Sequence, residues 1–122
     1  VRGARQGHDP KHPPAVVYVN PGDGATGVFC DSPVAVRLST PLDPRSLNAS
    51  TLRVQEVEGP VPGRLALCGD ARLIVFHPDR WLRPHVIHFV IVAGLLDRRG
   101  RSVRPHCSRF IPCGLGHHDL FE

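Results

Sequence analysis

Thirteen prolines and twelve glycines punctuate this chain of 122 residues, and between them lie only short apolar and β-branched runs. Proline removes a backbone donor and clashes inside a helix, and glycine is a poor helix former, so long helices are excluded. What remains is a series of brief extended segments joined by turns. Val16-Val17-Tyr18-Val19 reads as a first strand, ended by Asn20-Pro21-Gly22-Asp23-Gly24. Val34, Val36 and Leu38 alternate with Ala35, Arg37 and Ser39, the period of two that a half-buried strand requires. Leu52 and Val54 repeat it against Arg53 and Gln55. Leu65 and Leu67 lead to Gly69-Asp70, a hairpin signal, and Leu73 to Phe76 return from it. Val86 to Ala93 reads as the longest strand and Cys107 to Ile111 as the last. About seven strands at this turn spacing predict an all-β sandwich. One helical turn is expected at Asp43-Pro44-Arg45-Ser46-Leu47, where Asp43 caps and Pro44 takes the first position.

The length suits one domain, and 41% hydrophobic residues supply it with a core. Residues 1–14 are polar and rich in Gly, His and Pro, and read as a flexible arm or linker. The sandwich is expected over 15–113, with 114–122 as a tail. No apolar run reaches the length of a membrane span. The chain has no methionine, so it reads as processed or cut from something longer. The formal charge of +4 comes almost wholly from arginine. Arg98, Arg99, Arg101 and Arg104 cluster, but no stacking aromatics or nucleic-acid motif accompany them, so the cluster reads as a solvated turn rather than a nucleic-acid site. Four cysteines, an even number in a small domain, fit an oxidising compartment. The absence of C-x-x-C leaves a zinc knuckle or a thioredoxin-type site without support.

The turn residues then match a family. Val19-Asn20-Pro21-Gly22-Asp23-Gly24-Ala25-Thr26-Gly27-Val28 resembles the opening of the bacterial Ig-like domains named after S-layer proteins (SbsA-type). Asp31-Ser32-Pro33, Thr40-Pro41-Leu42-Asp43-Pro44-Arg45-Ser46-Leu47, Gly69-Asp70, Phe76-His77-Pro78 and Ala93-Gly94-Leu95-Leu96-Asp97 continue the pattern. The resemblance implies an immunoglobulin-like β-sandwich, part of a secreted or envelope protein, exported to the periplasm, cell surface or extracellular space. It implies no catalytic residues, no cofactor, and a role in protein–protein assembly. In such a sandwich successive strands run in opposite directions. Cys30 and Cys113 then fall at one end, and Cys68 and Cys107 at the other. The expected disulfides are Cys30–Cys113 and Cys68–Cys107.

A rival reading comes from the tail. Cys113-Gly114-Leu115-Gly116-His117-His118-Asp119-Leu120 resembles the end of the copper-binding loop of cytochrome oxidase subunit II and related cupredoxins. Val86-Ile87-His88-Phe89 echoes the upstream histidine of that family. The implied copper set is His88, Cys113 and His117, with Leu120 where the family has methionine. It would make the chain a periplasmic copper-binding or electron-transfer domain. Cys113 cannot serve as both ligand and staple.

No G-x-S-x-G, H-E-x-x-H or phosphate-cradling glycine loop occurs, so nothing in the sequence argues for an enzyme. His88 shares parity with Val86, Val90 and Val92 and reads as a buried, neutral, hydrogen-bonded core histidine. The long strand is apolar on both faces. Ile87, Phe89 and Ile91 form the second face, which a sandwich strand should leave wet. They are the expected interface, covered by a partner protein, a neighbouring domain, or the tail through Leu115, Leu120 and Phe121. Carbohydrate binding is a further possibility, but one Trp and one Tyr make a poor stacking platform.

Overall fold

A computed structural model describes residues 12–116. Among these residues nine strands form two sheets: β1 (Val16–Asn20), β2 (Ala25–Val28), β3 (Val34–Leu38), β4 (Leu52–Glu56), β5 (Gly59–Pro60), β6 (Gly63–Cys68), β7 (Leu73–Pro78), β8 (His88–Val92) and β9 (His106–Pro112). One sheet has the order β1-β3-β7-β6 and the other β2-β9-β8-β4-β5. All pairs are antiparallel except β2 with β9. Among the described residues helix is confined to one 3-10 turn, Pro44–Ser46, where the Asp43 carboxylate accepts from the Arg45 N–H at 3.0 Å. This is the immunoglobulin-like sandwich expected, with two short strands beyond the seven.

The core follows from alternation. Val34, Val36 and Leu38 of β3 and Ile74 and Phe76 of β7 face Leu52 and Val54 of β4, Val90 and Val92 of β8 and Phe110 of β9. Side chains from the two inner faces interdigitate in one apolar layer. Leu42, Leu82, Leu95 and Val103 close its ends from the loops. Trp81, next to buried Leu82, remains 50% exposed.

β2 lies in a segment that reads as turn. The Asn20–Gly24 corner carries the chain from one sheet to the other, and the Gly24 N–H donates to Arg109 O at 2.7 Å. Ala25 then pairs with Phe110 and Val28 with Pro112, with an irregularity between. Gly27, at φ +69°, sits within that irregularity, a backbone conformation that disfavours any residue with a Cβ.

β8 is shorter than expected. His85, at φ +62°, donates its N–H to Pro112 O, and this turn keeps Val86 and Ile87 out of the ladder. β9 is therefore the longest strand. The described parts of the expected arm and tail are tied down: Arg104 N–H donates to Pro14 O, and Cys30 N–H donates to Leu115 O.

Candidate functional site: the outer face of the five-stranded sheet

β8 sits between β4 and β9, so every outward side chain on it has a neighbour on each side. His88, Val90 and Val92 point into the core; Phe89 and Ile91 point out. Phe89 pairs with Gln55 on one side and Arg109 on the other. Ile91 pairs with Arg53 and Cys107. Just beyond the strand ends, Val57 is 82% exposed and Ile87 42%. Ile111 of β9 adds a half-buried apolar side chain. The expected interface residues Ile87, Phe89 and Ile91 therefore share one outer face, joined by Val57 and Ile111. Neither was singled out from the sequence, although parity from Leu52 and Val54 places Val57 outward.

Ile87 forms a ridge between two grooves. One, of about 510 Å³, is lined by Val57, Val86, Phe89 and Ile91. The other, of about 330 Å³, lies against Gly24, Ala25, Phe110 and Ile111. Two arginines border the apolar stripe. Arg53 donates from Nε to Gln55 Oε1 and from Nη1 to Ser50 O. Arg109 gives its backbone N–H to the Asp23 carboxylate at 3.0 Å. Among the described residues neither guanidinium has a carboxylate partner.

Behind this face lies a buried polar row. Glu56 follows Gln55 on β4, and His88 precedes Phe89 on β8, so the two are neighbours across the ladder. The Glu56 side chain is wholly buried, with Arg83 3.7 Å from Oε1 and Arg80 3.7 Å from Oε2. Its Oε1 accepts from the Glu58 N–H at 3.1 Å. The His88 ring stacks on Phe110, centroids 5.4 Å apart, with Nδ1 2.8 Å from Val86 O. Burial pushes the His88 pKa down; the bond to Val86 O and the Glu56 carboxylate oppose this, and the Arg80 and Arg83 cations add to it. His88 Nε2 and Glu56 Oε2 are buried without hydrogen bonds. An acid and an imidazole are thus ladder neighbours here, both with buried side chains.

The cysteine expectations need correction. None of the four is bridged. Cys107 is exposed on the outer face, opposite Ile91, whereas Cys68 ends β6 in the other sheet. A Cys68–Cys107 bond would have to pass through the five-stranded sheet. Cys30 and Cys113 do come to the same end, because β2 runs beside β9 and the Cys113 N–H donates to Val28 O. Cys30, however, is buried, with Sγ directed at Leu115 O at 3.0 Å.

Of the copper set, the structure describes only His88 and Cys113. His88 is the register partner of Phe110, and Cys113 lies three residues further on, about 10 Å along an extended chain. His117 lies outside the described residues. Among the described residues no three His, Cys, Asp or Glu side chains gather as a metal site would require. The arginine cluster is a hairpin turn built on buried Asp97. Its carboxylate accepts from the Arg99 and Arg101 N–H groups and from the Arg101 guanidinium, at 2.8–3.0 Å.

Known proteins share this architecture. The chain resembles the N-terminal part of the bacterial S-layer protein SbsC at 13% identity and a TM-score of 0.64, covering 84% of this chain and 24% of that one. It resembles CopC from Methylosinus trichosporium OB3b at 13% identity and a TM-score of 0.68, covering 83% and 94%. An L,D-transpeptidase from Mycobacterium smegmatis aligns at 23% identity and a TM-score of 0.61, covering 84% and 41%. The chain thus spans well under half of the S-layer and transpeptidase structures it matches. No curated protein sequence matches it. A family model described as a bacterial Ig-like domain matches residues 10–108. With its two sheets, its glycine-proline corners and that match over most of its length, this chain belongs to the bacterial Ig-like domain family.

Proposed function

We propose that this chain is a non-catalytic, exported module that docks onto another protein domain through the outer face of β4, β8 and β9. The observation that carries the reading is the apolar stripe Val57, Ile87, Phe89, Ile91 and Ile111 on a face that the described residues leave uncovered; the tail's Leu120 and Phe121 lie outside them. Fully burying one large apolar side chain contributes about 1.5–3 kcal/mol, so a partner covering this stripe gains a substantial driving force. Membership of the bacterial Ig-like family supports the export of the chain and its place in a larger envelope or extracellular assembly. The sealed positions of Glu56 and His88 support a non-catalytic role.

The test uses the protein in its own host, carrying a photo-crosslinking residue at position 89. A crosslink to one defined polypeptide segment supports the reading; the absence of any crosslink ends it. Phe89→Asp should weaken that association at least tenfold while lowering folding stability by only about 1 kcal/mol. If folding is lost to the same degree as association, Phe89 is a structural residue and the docking face falls.

A further inference from the structure

We infer that the surface received by this face is an acidic protein segment that places carboxylates beside apolar side chains; the inference rests on the docking reading above. The argument is charge balance at the rim. Across the ladder, Arg109 stands beside Phe89 and Arg53 beside Ile91, so the two cations bracket the stripe diagonally. The carboxylates that border the face are already engaged. Glu58 lies 3.3 Å from Arg83, Glu56 is buried between Arg80 and Arg83, and Asp23 accepts the Arg109 N–H. Arg53 bonds only to the neutral oxygens of Gln55 and Ser50.

A second copy of the chain is a poor occupant. A two-fold pairing of this face would bring both copies' Arg53 and Arg109 into one interface, where the described carboxylates at its border, Glu56, Glu58 and Asp23, each already face a cation or an N–H donor. A neutral apolar partner would cover both guanidiniums without pairing them. A segment alternating apolar and acidic residues meets both demands: apolar groups enter the grooves beside Ile87, and carboxylates reach Arg53 and Arg109. The recesses on either side of Ile87 are sized for side chains. Two cations are also too few to hold an anionic lipid surface strongly.

Two synthetic ten-residue peptides test this, one alternating glutamate with leucine and one alternating lysine with leucine, titrated against the whole chain. The glutamate peptide should bind more tightly, and raising the salt should weaken it. Arg53→Glu with Arg109→Glu should weaken it about tenfold and strengthen the lysine peptide by a similar factor. The salt titration on the unaltered chain gives an independent readout if that variant folds poorly. Equal binding of the two peptides, or binding of neither, overturns the acidic assignment. So does preferential binding to phosphatidylglycerol vesicles, or concentration-dependent self-association of the unaltered chain. Phe89→Asp separates the two claims. If it abolishes binding while charge reversal does nothing, the docking face stands and its acidic partner does not. If it changes nothing in a folded chain, both fall.

Discussion

At the scale of single residues, buried charge decides most. The Asp97 carboxylate is buried and would be pushed up by that burial. The Arg101 N–H, the Arg101 guanidinium and the Arg99 N–H together hold it below the usual carboxylate range. Asp97→Ala leaves those donors unpaired and should cost about 2–4 kcal/mol in a urea melt at neutral pH. His88 works in the opposite chemical sense. Burial lowers its pKa from 6.5, so the unfolded chain takes up a proton before the folded one does. The stability it contributes is complete above pH 6.5 and is lost as pH falls from there through the folded pKa. The slope should approach about 1.4 kcal/mol per pH unit within that window. His88→Leu should flatten this part of the curve, as read by thermal melts between pH 7 and pH 5.

At the scale of elements, alternation and close approach set the limits. β6 is an edge strand of its sheet and pairs with β7 over six residues. Gly63 opens it, opposite Pro78, and a Cβ there would collide with the Phe76 ring and the backbone oxygen of His77. The oxygen belongs to the ladder itself and cannot move aside. Gly63→Ala should therefore cost about 1–3 kcal/mol, whereas the same change at a glycine with open space and negative φ, such as Gly22, should be near neutral. Chemical denaturation of the two variants side by side checks this. On β8, the same alternation that buries His88, Val90 and Val92 turns Phe89 and Ile91 outward, so the core and the proposed docking face are two sides of one strand.

At the scale of the whole molecule, two sheets share one apolar layer, and the structure holds together without a covalent staple. Cys68 and Cys107 lie in different sheets, and Cys107 faces outward. Replacing both by serine should change the unfolding free energy by less than about 1 kcal/mol, against the 2–4 kcal/mol typical of a lost disulfide. Thermal melts of the double variant under oxidising conditions read this directly.

Much of this was legible in the residues themselves. Alternation in Val34–Leu38 and Leu52–Gln55 depends only on the two-residue period of an extended chain, and glycine and proline mark corners wherever they stand. The parity that sets Ile87, Phe89 and Ile91 opposite His88 is equally local. β2 was not legible, because a four-residue strand interrupted by Gly27 exists only by virtue of β9 beside it. The cysteine pairs, the separation of His88 from Cys113, and the meeting of Val57, Ile111, Arg53 and Arg109 around Phe89 all depend on which strands neighbour one another and in what register. Those are long-range pairings that no local period encodes, and only the assembled sheets decide them.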